Sequence, residues 1–289
     1  MDAPRQQPPE PAVEIPCLVS VARNVAINSV SWAPDGTRLA LGDDENAVEV
    51  ITAEGRTLWR RIEDADLERV WSVRWSPDGQ WVASTAPAGP VRLWDPKTGQ
   101  SRLLDQAAGD YGVALAWSPA ADRLVRDVPG QLRILSVETG RPVFTCEHSQ
   151  AEDAAWSPDG SRLASCAKYG PLRLWDGVNG GPVAELGRGE QASGRVCGLS
   201  WSPDGRFIAT ASLDGTLEVW DTVESRCRLA RTLDGERFWK VAWSGNGRWI
   251  ALGSDDGRVC VVDSEDGCDR VSLSGHIEGR IWSVAFSPD

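Results

Sequence analysis

Histidine is almost missing from this chain: His148 and His276 are the two among 289 residues. They lie far apart, so a histidine-based zinc site or a Ser-His-Asp triad would have to recruit distant segments. Lysine is nearly as scarce, with 3 residues against 27 arginines, and the net charge is −12. Phosphate backbones are held by positive fields, so a nucleic-acid groove is not expected. No apolar run approaches membrane-spanning length, and no membrane partner is expected. The opening residues MDAPRQQPPEP lack the basic-then-apolar order of a secretory signal, and residues 1–12 read as a disordered Pro-rich tail. The apolar spacing of an amphipathic helix is absent throughout. Seven cysteines, at 17, 146, 166, 197, 227, 260 and 268, are odd in number and show no short paired spacing. That speaks against disulfides and zinc and fits a cytoplasmic protein; Cys146, Cys166 and Cys260 fall inside strand patterns and read as small buried hydrophobes. Gly-rich stretches such as GVNGG (177–181) lack the helix and the Lys-Ser/Thr of a phosphate loop. The acidic pairs Asp43-Asp44 and Asp255-Asp256 read as solvated turn residues. No catalytic constellation, cofactor site or metal site is expected.

What is present is tryptophan, 15 residues of it, and one phrase written seven times. SVSWAPDG (29–36), SVRWSPDG (72–79), LAWSP (115–119), AAWSPDG (154–160), LSWSPDG (199–205), VAWSGNG (241–247) and SVAFSPD (283–289) share an anchor aromatic. The anchors are Trp32, Trp75, Trp117, Trp156, Trp201, Trp243 and Phe286, in steps of 43, 42, 39, 45, 42 and 43 residues. A repeat of that length buries its apolar face only against its neighbours, which implies a stacked or circular array. After each turn comes a short apolar run, such as IATAS (208–212), then an alternating one, such as LEVWD (217–221), then a weaker strand. Period-two alternation between Gly, Pro, Asp and Ser punctuation predicts four short antiparallel strands per repeat. The predicted fold class is all-β, a β-propeller of four-stranded antiparallel blades with six complete repeats plus an incomplete seventh.

Over residues 13–289 the chain resembles the WD-repeat family. The naming dipeptide stands at Trp94-Asp95, Trp175-Asp176 and Trp220-Asp221, and a Gly-His at Gly275-His276. The excess of Arg over Lys fits a GC-rich genome and points to a bacterial member. The resemblance implies a bracing network of His, Ser or Thr, Trp and Asp in each blade. No repeat here has all four, because the repeat after His148 carries Tyr169 where the Asp belongs. Blade stability is therefore expected from apolar packing and ladder hydrogen bonds. Residues 13–22 read as an outer strand completing a last blade whose middle strands the sequence does not contain, so the propeller is expected to be truncated at its C-terminus. A six-bladed ring, with 13–22 and 281–286 as a rudimentary extra pair, is the alternative.

Differences between repeats carry the functional signal. Six residues before the anchors stand Arg69, Tyr111, Arg195, Arg237 and Arg280; four before them stand Trp71, Trp239 and Trp282. The resemblance places both positions at the narrow top opening of the central channel. Arg, Trp and Tyr predominate at binding hot spots, and a guanidinium prefers carboxylate or phosphate partners. These eight residues are the expected partner-binding rim of a non-catalytic scaffold or sensor in signalling. Its partner would be an acidic protein or peptide, or another domain of a longer chain. The alternative is a propeller enzyme or small-molecule binder using the axial channel.

Overall fold

The computed structural model describes residues 13–14, 25–62, 69–87, 89–106, 114–187, 194–233, 236–273 and 279–288. The expected tail, residues 1–12, lies outside them. The described residues form strands and turns, with no helix. The two-residue β1 (Val13–Glu14) is followed by six four-stranded antiparallel meanders. Blade one is β2 (Ile27–Trp32), β3 (Arg38–Asp43), β4 (Ala47–Thr52) and β5 (Thr57–Ile62). Blade two is β6 (Ser72–Trp75), β7 (Val82–Thr85), β8 (Val91–Trp94) and β9 (Ser101–Asp105). Blade three is β10 (Leu115–Trp117), β11 (Arg123–Val128), β12 (Gln131–Ser136) and β13 (Pro142–Cys146). Blade four is β14 (Ala151–Trp156), β15 (Arg162–Ala167), β16 (Leu172–Asp176) and β17 (Pro182–Leu186). Blade five is β18 (Val196–Trp201), β19 (Phe207–Ser212), β20 (Thr216–Asp221) and β21 (Arg226–Thr232). Blade six is β22 (Phe238–Trp243), β23 (Trp249–Ser254), β24 (Val259–Asp263) and β25 (Asp269–Leu273). The first strands of consecutive blades pack side by side. This is the predicted all-β propeller.

The repeated SPDG phrase builds the first turn of a blade. In blade four Ser157 Oγ donates to Asp159 at 2.6 Å and accepts the Arg162 N–H at 2.9 Å, while Asp159 accepts the Ser161 N–H at 3.0 Å. Gly160 supplies the left-handed residue, φ 72°. In blade three Ala121 takes that conformation instead, φ 58°, and Ser118 reaches Asp122 at 2.8 Å.

Five apolar cores lie between consecutive blades. In the first, Trp59 of blade one stacks on Trp94 of blade two, 6.1 Å between centroids, and donates Nε1–H to the Pro96 carbonyl at 2.9 Å. Burying roughly 200 Å² of tryptophan stabilises by about 5 kcal/mol before ordering entropy is counted. A polar contact adds only ~1 kcal/mol, so packing dominates. The bracing network is incomplete, as expected, but three of its members do assemble in blade four. Ser165 Oγ lies 2.6 Å from His148 Nδ1 and accepts Trp175 Nε1–H at 2.8 Å. In blade two Trp94 Nε1–H donates to Ser84 Oγ at 2.8 Å.

Two expectations at the ends need correction. β1 does not complete a seventh blade; it pairs in parallel with β25, Val13 opposite Val271, as a fifth strand of blade six. Residues 15–22 lie outside the described part. Nor does the incomplete seventh repeat form a strand: described residues 279–288 have no ladder partner. They still occupy a defined place. Val30 N–H donates to Ser283 Oγ at 3.2 Å, as Val73 N–H donates to Ser29 Oγ at 3.1 Å one junction on. Ile281 and Val284 crowd Gly253 as Val70 and Val73 crowd Gly42. The segment therefore meets blades six and one through the contacts an innermost strand makes. Trp32 and Trp243, the anchors on either side of it, are half-buried, whereas Trp75, Trp117, Trp156 and Trp201 are buried.

Candidate functional site

The first strands β2, β14, β18 and β22 share an irregularity that shapes the site. Pairing skips one residue in each, at Asn28, Glu152, Cys197 and Trp239. These are β-bulges, four residues before the anchor, and a bulge reverses the alternation of faces beyond it. The bulged residue and the one after it can then line the same space, which strict alternation would forbid.

They surround a cavity of about 450 Å³, lined by residues of blades one, two, four, five and six and of the 279–288 segment. Six of the expected rim residues line it: Arg69, Trp71, Arg195, Trp239, Arg280 and Trp282. Trp239 and Trp282 lie 5.0 Å apart at 54°. Arg280 lies over both rings, 4.9 and 5.4 Å from their centroids, and Arg195 is 5.8 Å from that of Trp239. Trp239 Nε1–H donates to Asp255 at 2.9 Å, and Arg280 pairs with the same carboxylate at 2.5 Å. Arg195 pairs with Glu152 at 2.6 Å, and Arg69 lies 3.6 Å from Asp44. Two expected residues are not placed there. Arg237 is exposed and does not line the cavity, since its neighbour Phe238 turns inward and is fully buried. Tyr111 lies outside the described residues.

The sequence reading missed the deeper layer. Ser29, Ser72, Lys240 and Ser283, one position after the bulge site, and Arg74, next to its anchor, also line the cavity. Lys240 Nζ spans from blade six to Asp153 of blade four at 3.0 Å, touching the Cys197 carbonyl at 3.3 Å on the way. It passes over Gly198, where a Cβ would lie 3.1 Å from the Lys240 backbone. Burial pushes the Cys197 thiol up to about 11, so it is neither a thiolate nor a nucleophile at neutral pH. Cys146 and Cys166 are buried, as expected, and burial raises both thiols; Cys260 is only half-buried. His148 is buried in blade four, where desolvation and the charge of Arg173 lower its pKa to about 4.

The profile described as "WD domain, G-beta repeat" matches residues 62–95, 140–176, 182–221 and 227–263, together just over half of the chain. The chain is 32% identical over 117 residues to the meiotic recombination protein rec14 of Schizosaccharomyces pombe, covering 39% of this chain and 38% of the other. It is 28% identical over 210 residues to telomerase Cajal body protein 1 of Mus musculus, covering 59% and 38%. With minichromosome loss protein 1 of Schizosaccharomyces pombe it shares 24% identity over 172 residues, covering 55% and 21%. The chain spans less than two fifths of the length of each of these three relatives. They are eukaryotic and give the expected bacterial source no support. Four profile matches fall on blades two, four, five and six, each ending on the strand that carries the Trp-Asp dipeptide or its Val262-Asp263 counterpart, and on this evidence the chain belongs to the WD-repeat family.

Proposed function

We propose that this chain is a non-catalytic interaction scaffold or sensor that holds a peptide or partner domain against the cavity rim. The observation that carries the reading is the convergence of Trp71, Trp239, Trp282, Arg69, Arg195 and Arg280 on one opening. Large aromatic faces beside guanidinium groups supply both apolar area and directed hydrogen bonds. The relatives' names point the same way, since meiotic recombination and the telomerase Cajal body name settings rather than a shared reaction. We take the partner to be protein, not nucleic acid or membrane, because the net charge is −12 and most rim cations already face a carboxylate. The proposed compartment is the cytoplasm, where thiols such as Cys146 and Cys166 stay reduced.

A channel enzyme is the second reading, favoured by Glu152, Cys197 and Lys240 in the lining. Against it, Cys197 stays protonated, and Glu152 and Asp153 are tied up by Arg195 and Lys240. The test is affinity capture of partners by the chain and by its Arg280→Glu and Trp239→Ala variants. Capture by the wild type is expected to fall at least about tenfold in each variant, with unchanged circular dichroism. Capture that survives both substitutions removes the rim from the binding surface.

A further inference from the structure

The charges around the cavity do not balance. Four cations have a carboxylate each: Arg69 with Asp44, Arg195 with Glu152, Lys240 with Asp153 and Arg280 with Asp255. Arg74, which also lines the cavity, has no carboxylate within 4.0 Å among the described residues. Its contacts are neutral: one terminal nitrogen donates to Ser29 Oγ at 3.2 Å and to the Val73 carbonyl at 3.0 Å. Burial lowers its pKa, opposed by the charge of Asp153, a carboxylate already paired with Lys240. An arginine nonetheless stays protonated in proteins, so a positive charge is held there. It sits on the first strand of blade two, beside the anchor Trp75.

We propose that Arg74 is the counter-ion for a single carboxylate, the side chain of an Asp or Glu on an extended peptide held at the rim above it. The inference rests on the rim reading and names the chemistry of its ligand. The remaining guanidinium donors suit a carboxylate fork, and a pairing made away from bulk water is stronger than one at the surface. The Ser72 hydroxyl borders the same space and can donate to one of the oxygens' other lone pairs. A phosphate is the poorer fit. Its second negative charge would find every other cation already matched, with Glu152 and Asp153 nearby to repel it. Among the described residues the local balance is five cations against four carboxylates, which leaves room for one negative charge.

A phage-displayed library of random peptides panned against the whole chain tests this. The selected peptides are expected to share one Asp or Glu. Replacing it by Gln or by phosphoserine should weaken binding to the wild type at least about tenfold, as loss of a desolvated charge pair does. In Arg74→Gln the preference for Glu over Gln disappears, and in Arg74→Lys it is partly kept. Trp239→Ala weakens the Glu and Gln peptides alike. Peptides that need Trp239 but show no acidic preference overturn the role of Arg74 and leave the rim reading standing. Phosphoserine binding more tightly than Glu overturns the single-charge assignment. If no selected peptide depends on Trp239, the rim reading falls and this inference with it. The Glu-to-Gln comparison on the wild type decides the matter even where an Arg74 variant does not fold.

Discussion

A residue's neighbours decide which protonation state the fold tolerates, and His148 is the clearest case. It is buried against Ser165 and tilted on Trp175, with ring centroids 6.1 Å apart. Its folded pKa, about 4, lies below the ordinary value of 6.5 because desolvation and Arg173 disfavour the cation. The unfolded chain therefore binds a proton the folded chain refuses, and stability falls as pH drops through 6.5 toward 4. The loss levels out below the folded pKa at about 3 kcal/mol. Urea midpoints across that interval are expected to decline for the wild type. In His148→Asn, which keeps a polar atom near Ser165 but has no proton to gain, the slope over the same interval should flatten. An equal slope in both would assign the acid sensitivity to other groups.

At the scale of elements, the first strands do two jobs that ordinary alternation would separate. The bulges at Asn28 and Trp239 let each bulged residue and the next, Ser29 and Lys240, share the cavity side while the anchors remain between blades. Glycine in the second strand gives the next first strand its closest approach. A Cβ on Gly42 would lie 2.6 Å from Val70, and one on Gly253 would lie 2.6 Å from Ile281. The two positions should respond differently. Gly42→Ala sits between two full blades and is expected to cost about 1–3 kcal/mol of unfolding free energy by overpacking. At Gly253 the crowded element is the 279–288 segment, which has no ladder partner and gives way first. Gly253→Ala should instead expose Trp282, read as stronger acrylamide quenching of tryptophan fluorescence with a smaller change in the urea midpoint. Quenching unchanged from wild type would show that the segment adjusts without leaving its place.

For the whole molecule, the overall field and the cavity oppose each other. The chain carries −12, yet the cavity keeps one cation without a partner carboxylate among the described residues, Arg74. An acidic peptide is repelled at long range and attracted only on arrival. Screening lengths fall from about 30 Å at 0.01 M salt to about 8 Å at 0.15 M. Association rates measured by stopped flow should therefore rise with salt over that range, the reverse of steered encounters. A rate that falls with salt would mean that the cavity's field governs the approach.

Much of this architecture was legible in the amino-acid order. Seven anchor phrases at a near-constant interval required blades, because each repeat has an apolar face it can cover only with its neighbour. That the Arg and Trp positions face one opening was implied by the resemblance to the WD-repeat family, and six of the eight residues line it; Tyr111 lies outside the described residues, and the direction of Arg237 depends on how Phe238 packs. What the order could not show was the second layer of the cavity. Period-two alternation puts Ser29 and Lys240 on the face opposite the bulge position, and the bulges at Asn28 and Trp239, set by how strands pair in three dimensions, bring them round. The unmatched charge of Arg74 is likewise a property of space. Whether a guanidinium has a counter-ion depends on which carboxylates other blades bring within a few ångströms, and no local stretch of sequence records that distance.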